Sequence, residues 1–125
     1  MRRARYAVLC ESGLSNELLG TRLEDLMFRE RVWLDEELSL SSLSAKLLTT
    51  PHRLSAFIND SFRVNFNTYL NRFRVQEAQR LLVEEPEWSV LRIALMSGFN
   101  SKSVFYRCFT KEAGISPTLF REKQE

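Results

Sequence analysis

A chain of 125 residues is long enough for one domain with a real core, or one domain with an extension. Eighteen basic against sixteen acidic side chains leave a net charge of +2, short of the strongly basic balance that by itself marks a nucleic-acid binder. Two cysteines, Cys10 and Cys108, exclude a disulfide framework or a zinc site, and no apolar run reaches the roughly 20 residues that span a bilayer.

A reduced, cytoplasmic setting fits. The start of the chain is basic, but its apolar run is too short for a secretory signal. Charge is spread unevenly: residues 21–60 carry five basic and seven acidic groups (−2), residues 61–125 ten and seven (+3). Fourteen of the basic residues are arginine, whose planar fork suits guanine and phosphate as well as surface ion pairs.

In chain order, residues 1–20 read as an arm or linker, helical after Ser15. For Arg2, Arg3 and Arg5 a solvated terminus is preferred over phosphate contact. Leu23, Leu26, Met27 and Val32 set the face of a first amphipathic helix over about residues 21–31. Trp33 and Leu34 lead into Asp35-Glu36-Glu37, an acidic run that would repel DNA and so belongs in solvent. Ser39 is a candidate N-cap for a short second helix carrying Leu40, Leu43, Leu47 and Leu48. A threonine cap, Thr50, followed by Pro51 in the first turn starts a third helix over about residues 51–62. Its buried side is Leu54, Phe57, Ile58 and Phe62; its opposite side is His52, Ser55, Ala56 and Asn59.

Asn65 caps a longer helix over about residues 66–83. Phe66, Tyr69, Leu70, Phe73, Ala78, Leu81 and Leu82 mark its core side, with Arg72, Arg74 and Arg80 on or near the outer side. Glu84-Glu85-Pro86-Glu87 ends it, and Trp88 follows as a core anchor. A fifth helix with Val90, Ile93 and Ala94 stops at Gly98, which tolerates the left-handed conformation. The sixth runs from near Ser101 to Gly114. Phe105, Cys108 and Phe109 form its buried stripe, and Ser103, Tyr106, Arg107 and Thr110 lie opposite. Ser116-Pro117 opens a last short helix with Leu119 and Phe120. No strand pattern appears, so the fold class is all-α, with about seven helices. Phe99, Phe105, Phe109, Trp33 and Trp88 read as core rather than as stacking platforms for single strands.

A repeat lies in this order of elements. Leu43 matches Ile93 and Leu48 matches Gly98 at an offset of 50; Leu54, Phe57 and Ile58 match Phe105, Cys108 and Phe109 at 51. On this register His52, Ser55 and Ala56 correspond to Ser103, Tyr106 and Arg107. The chain thus predicts two helix-turn-helix subdomains, about residues 40–63 and 89–113, joined by the long linker helix, the second turn being one residue longer. A domain over residues 21–125 follows the arm. A linker of some 18 residues spans about 27 Å, comparable with the roughly 34 Å between successive major grooves of double-stranded DNA.

Hydroxyls, an aromatic ring and an arginine suit a groove. Arg107 is the leading base-reading candidate, through the O6 and N7 of guanine, with a phosphate contact or a surface ion pair as the alternatives. Lys102 and Ser103 approach the groove edge, and Lys102 serves phosphate equally well. Tyr106 fits a thymine methyl, a phosphate or partial burial. His52 and Ser55 are the weaker base-reading candidates. Thr50, Arg53 and Ser101 are phosphate candidates at helix starts. His52 is the only histidine, so a metal or acid–base role lacks a partner set. No nucleophile–base pair, metal-ligand cluster or glycine-rich phosphate loop appears, so neither an enzyme, a cofactor nor a metal is expected. The competing function is a protein-interaction module that keeps the helix-turn-helix shape without reading DNA, which the acidic patch, Leu48 and Ala56 favour.

Ile93-Ala94, Gly98-Phe99-Asn100-Ser101-Lys102-Ser103, Phe105, Arg107, Phe109, Gly114-Ile115-Ser116-Pro117 and Phe120-Arg121 together resemble the AraC family of bacterial transcription regulators. Asn65-Phe66, Tyr69-Leu70, Arg74-Val75, Ala78 and Leu81-Leu82 match its linker helix. Leu40, Leu43, Leu47, Leu54-Ser55 and Ile58-Asn59 match its first unit. The resemblance covers about residues 21–124 and implies recruitment of RNA polymerase as an activator. The stretch from Tyr6 to Met27 is similar to a subgroup in which a membrane-embedded sensor precedes the DNA-binding domain. Leu48 and Arg63 stand where the family often has glycine, Ser44 where alanine is usual, and Ala56 where a longer polar side chain is common. These departures put base reading by the first unit in more doubt than by the second.

Overall fold

The computed structural model describes residues 15–124, so Arg2, Arg3 and Arg5 lie outside the described residues. Among those residues all regular structure is helical. The chain divides into two compact units. The first comprises residues up to Val32 together with Glu37–Phe66; the second comprises Trp33–Glu36 together with the chain from Asn67 onward.

In the first unit, α1 (Asn16–Glu24) begins directly after Ser15, as expected there, and runs on into the helix expected from residue 21; Ser15 caps it, its Oγ accepting from the Leu18 N–H at 3.2 Å. Leu19, Leu23 and Met27 fall at i, i+4, i+8 and are all buried, so the core begins inside what reads as the arm. Leu26, expected on that face, is only partly buried. Gly20 sits on this helix with no room to spare, since a Cβ there would lie 3.2 Å from the Phe57 ring. The helix widens over Asp25–Arg29 into a π-helical turn, with Glu30 N–H donating to Asp25 O at 3.2 Å.

The second helix, α2 (Leu40–Lys46), is held at its start by a reciprocal capping box. Ser42 N–H donates to Ser39 Oγ at 3.1 Å, and Ser39 N–H to Ser42 Oγ at 2.9 Å. Ser44 is buried without strain because its hydroxyl donates to Ser41 O at 2.8 Å. Leu48 lies past the helix end in the left-handed region, at φ 59°. Helix α3 (Pro51–Phe62) is capped by Thr50, whose Oγ1 accepts from Arg53 N–H at 3.2 Å. Leu54 and Ile58 are fully buried and Phe57 partly so. Phe62, expected inside, is 43% exposed; it is the last helical residue and turns its ring edge-on to Phe57 at 6.3 Å.

In the second unit, α4 (Phe66–Glu84, its first residue belonging to the first unit) buries Tyr69, Leu70, Val75, Ala78, Leu81 and Leu82. Phe73 meets Tyr69 edge-on at 5.2 Å and stacks on Trp33 at 6.1 Å. Arg72 and Arg80 are exposed and paired, Arg72 with Glu112 at 3.2 Å and Arg80 with Glu77 and Glu84 at 2.7 Å each. Arg74 is different. Expected on or near the outer side, it is only 7% exposed. Its Nε donates to Trp33 O at 2.7 Å and its Nη2 to Asp35 O at 2.8 Å. Two backbone acceptors and the nearby Asp35 and Glu36 carboxylates compensate a burial that pulls the guanidinium below its ordinary pKa.

Helix α5 (Val90–Met96) is capped by Ser89, which accepts from Arg92 N–H at 3.1 Å, and buries Ile93 and Ala94. Helix α6 (Lys102–Ala113) is capped by Ser101, which accepts from Val104 N–H at 3.1 Å, and buries Phe105 and Phe109. Cys108 is partly buried beside them, which pushes its thiol pKa up. Helix α7 (Pro117–Gln124) closes this core: Phe120 meets Phe109 edge-on at 5.6 Å, while Leu119 stays exposed.

The two units repeat at the level of single hydrogen bonds. α2 and α5 are each seven residues at an offset of 50, and α3 and α6 each twelve at 51. In one turn Leu48 N–H donates to Ala45 O and Thr49 N–H to Ser44 O; in the other Gly98 N–H donates to Leu95 O and Phe99 N–H to Ala94 O. Asn100 is the residue added in the second turn. Each twelve-residue helix then ends on a left-handed residue whose N–H donates to a carbonyl four residues back, Arg63 (φ 61°) to Asn59 O and Gly114 (φ 84°) to Thr110 O, both at 2.9 Å.

Glycine therefore fills both left-handed positions in the second unit and neither in the first. Arg63 is exposed, so its side chain has little packing to lose. Arg63→Gly is expected to stabilise the protein by up to about 1 kcal/mol, relief of the left-handed penalty outweighing the added freedom of the unfolded chain. A rise in the urea midpoint at unchanged slope checks this; a fall would show that the side chain contributes more than its backbone strain removes.

Candidate nucleic-acid interface

The apolar stripe of each twelve-residue helix is used up by its own core, which leaves the opposite face outward. On α6 that face carries Lys102, Ser103, Arg107 and Thr110, all exposed. Arg107 makes no hydrogen bond or ion pair with a described residue, so its fork is open to a ligand. Lys102 lies one turn before Tyr106, with its Nζ 5.8 Å from the ring centroid. The Tyr106 hydroxyl is 3.0 Å from Thr118 Oγ1, and the ring is partly buried against Phe105. Tyr106 thus combines the partial-burial reading with an outward edge. Thr118, which fixes the hydroxyl, escapes the sequence reading because α7 carries no period linking it to α6. With Lys102, Arg107 and Lys111 against Glu112, α6 carries 3 − 1 = +2.

On α3 His52 and Ala56 are exposed and Ser55 is half-buried. Arg53 is half-buried as well, and its backbone N–H is taken by the Thr50 cap. Arg53 against Asp60 gives α3 a net charge of 1 − 1 = 0. The Thr50 and Ser101 oxygens both accept a cap hydrogen bond, which leaves each hydroxyl proton available as a donor at a helix start. His52, Ser55, Thr50 and Arg53 thus share the N-terminal half of α3, and Lys102, Ser103, Tyr106, Arg107 and Ser101 that of α6. Asn100, exposed and next to the Ser101 cap, joins the second group, its signal being the one-residue mismatch in the repeat.

Two helix-turn-helix units on one chain, each with a capped outward-facing second helix, define a DNA-binding domain. Comparison with known proteins makes the class narrower. Residues 43–123 match the model of a helix-turn-helix domain family. The chain is similar to the probable transcription factor PqrA of Proteus vulgaris, 31% identical over 88 residues, which are 70% of this chain and 71% of PqrA. It is also similar to the regulatory protein PocR of Salmonella typhimurium, 27% identical over 90 residues, 72% of this chain but only 29% of PocR. Among solved structures, the C-terminal domain of the two-component response regulator YesN from Fusobacterium nucleatum superposes with a TM-score of 0.69 at 30% identity, covering 84% of this chain and 95% of that one. The chain belongs to the AraC-type helix-turn-helix family and is the DNA-binding domain of a transcription regulator. No helix among the described residues is long and apolar enough to cross a membrane.

Proposed function

We propose that this domain reads a specific sequence in double-stranded DNA through the major groove, with α6 as the principal reading helix and α3 mainly gripping the backbone. The observation that carries the reading is the exposed Arg107, unpaired among the described residues, on a helix of charge +2, set against the zero net charge of α3. Arg107 bonds guanine O6 and N7, and Ser103, one turn before it, reaches the neighbouring base edge. Lys102, Ser101, Thr50 and Arg53 hold phosphates. Tyr106, tethered through its hydroxyl, presents its ring edge to a thymine methyl or the sugar-phosphate backbone. His52 and Ser55 supply what base contact α3 makes.

Two capped outward-facing helices on one chain, joined through the 19-residue α4, support entry into successive major grooves by one chain. The family resemblance supports regulation through recruitment of RNA polymerase as an activator, and the DNA target a cytoplasmic location. In-vitro selection of duplexes at a stated salt concentration tests the two-groove reading: two half-sites about one turn apart per monomer are expected, and a single half-site would limit reading to α6. Arg107→Ala is expected to cost about 1–3 kcal/mol on the selected site and to relax one base position. An equal loss on random DNA would assign Arg107 to phosphate instead.

A further inference from the structure

The internal repeat supplies a control for the outer face of α5. At the equivalent positions of α2 the first unit has Ser41, Ser42, Ala45 and Lys46; the second has Leu91, Arg92, Leu95 and Met96. The fold itself therefore demands no apolar residues there. Leu91, Leu95 and Met96 are nevertheless 47%, 49% and 50% exposed. Leu91 and Leu95 are one turn apart, as are Arg92 and Met96, so the four form two adjacent rows on one face. The opposite face, with Ile93 and Ala94, is consumed by the core. Arg92 is held over the Trp88 ring at 4.1 Å and has no carboxylate partner among the described residues. A stacked arginine is pre-positioned and desolvated on one side, with its fork still open to a carboxylate.

We propose that this face of α5 docks a partner protein through an acidic amphipathic helix, whose apolar stripe covers Leu91, Leu95 and Met96 and whose flanking carboxylate pairs with Arg92. A helix is the fitting occupant because the exposed side chains form a short ridge with i, i+4 spacing, against which a second apolar stripe packs. An acidic one is favoured because the only charged group on the face is an open cation. The contact is small, of the kind that serves transient association. It uses none of the residues assigned to DNA and does not depend on which bases are read.

Two synthetic amphipathic helical peptides test the proposal. They share one leucine stripe and differ only in carrying glutamate or lysine along its flanks. In fluorescence anisotropy the glutamate peptide is expected to bind the protein in preference to the lysine peptide, with NMR shift changes centred on Leu91, Arg92, Leu95 and Met96. The double variant Leu91→Ser/Leu95→Ser should weaken binding by about tenfold or more. Arg92→Glu should reverse the preference between the peptides. Both variants should keep the melting temperature and duplex affinity of the parent, which separates a lost docking face from a lost fold. Equal binding of the two peptides, or binding that survives the double variant, would overturn the proposal. So would self-association by sedimentation that the double variant removes, since a second copy would then occupy the face. A loss of duplex affinity in Arg92→Glu would also overturn it, by assigning that arginine to the DNA backbone.

Discussion

Gly98→Ala is expected to be the most damaging single-methyl change in this protein. Gly98 has φ 98°, and a Cβ there would stand 2.5 Å from Trp33 O and 2.9 Å from Arg74 Nε. The first is a backbone atom and the second belongs to a buried, doubly hydrogen-bonded side chain, so neither can yield cheaply. The left-handed penalty and the disruption of a buried charge-assisted bond together amount to about 3–5 kcal/mol. Gly114→Ala is the matched comparison: φ is 84°, but nothing lies within 4 Å of where an added Cβ would stand, so only the conformational penalty of about 1 kcal/mol applies. Urea unfolding of the two variants measures the difference, and equal losses would show that the close approach at Gly98 costs nothing beyond its dihedral angle.

Removing the other partner in that contact gives the second large effect. Arg74→Ala strips the hydrogen bonds from Trp33 O and Asp35 O and leaves a void beside the Phe99 ring, which the guanidinium faces at 5.9 Å. A loss of about 2–4 kcal/mol is expected from the unmatched carbonyls and lost packing. Because Gly98→Ala already disrupts the same bond, the double variant should lose less than the sum of the two. The fall in Trp fluorescence shift on unfolding and the urea midpoint together report it; strict additivity would show that the two residues act independently.

The repeat was legible because both helix-turn-helix units place apolar residues at the same period, with Leu48 at the position of Gly98; the structure adds matching hydroxyl caps at Ser39, Thr50, Ser89 and Ser101. Leu48 was recognisable as a stand-in for glycine through that register and Arg63 through the family resemblance, and both take positive φ. Arg74 was not legible. Helical periodicity sorts residues by polarity, and an arginine that satisfies two carbonyls of a segment some 40 residues earlier carries no local sign of burial. Phe62 misled in the opposite sense, since its place at i+4 from Ile58 says nothing of where the core stops. The helix after Ser15 was legible from its cap, whereas the close approach of the Phe57 ring to Gly20 is a long-range pairing that no spacing announces. At the candidate interface, the outward positions on α6 followed from its stripe, whereas the tether between Tyr106 and Thr118 is a long-range pairing that no spacing announces.

The segment Trp33–Glu36 counts with the second unit, although it is flanked on both sides by the first. The order of synthesis then matters. The ribosome delivers the Trp33 ring and the Trp33 and Asp35 carbonyls well before Phe73, Arg74 and Gly98 emerge to meet them. The early half of the chain must therefore hold an aromatic side chain and a short length of backbone in reserve until the late half is complete. A second helix-turn-helix cut out at residue 67 would therefore leave behind the upstream segment whose carbonyls Arg74 holds and against which Gly98 packs.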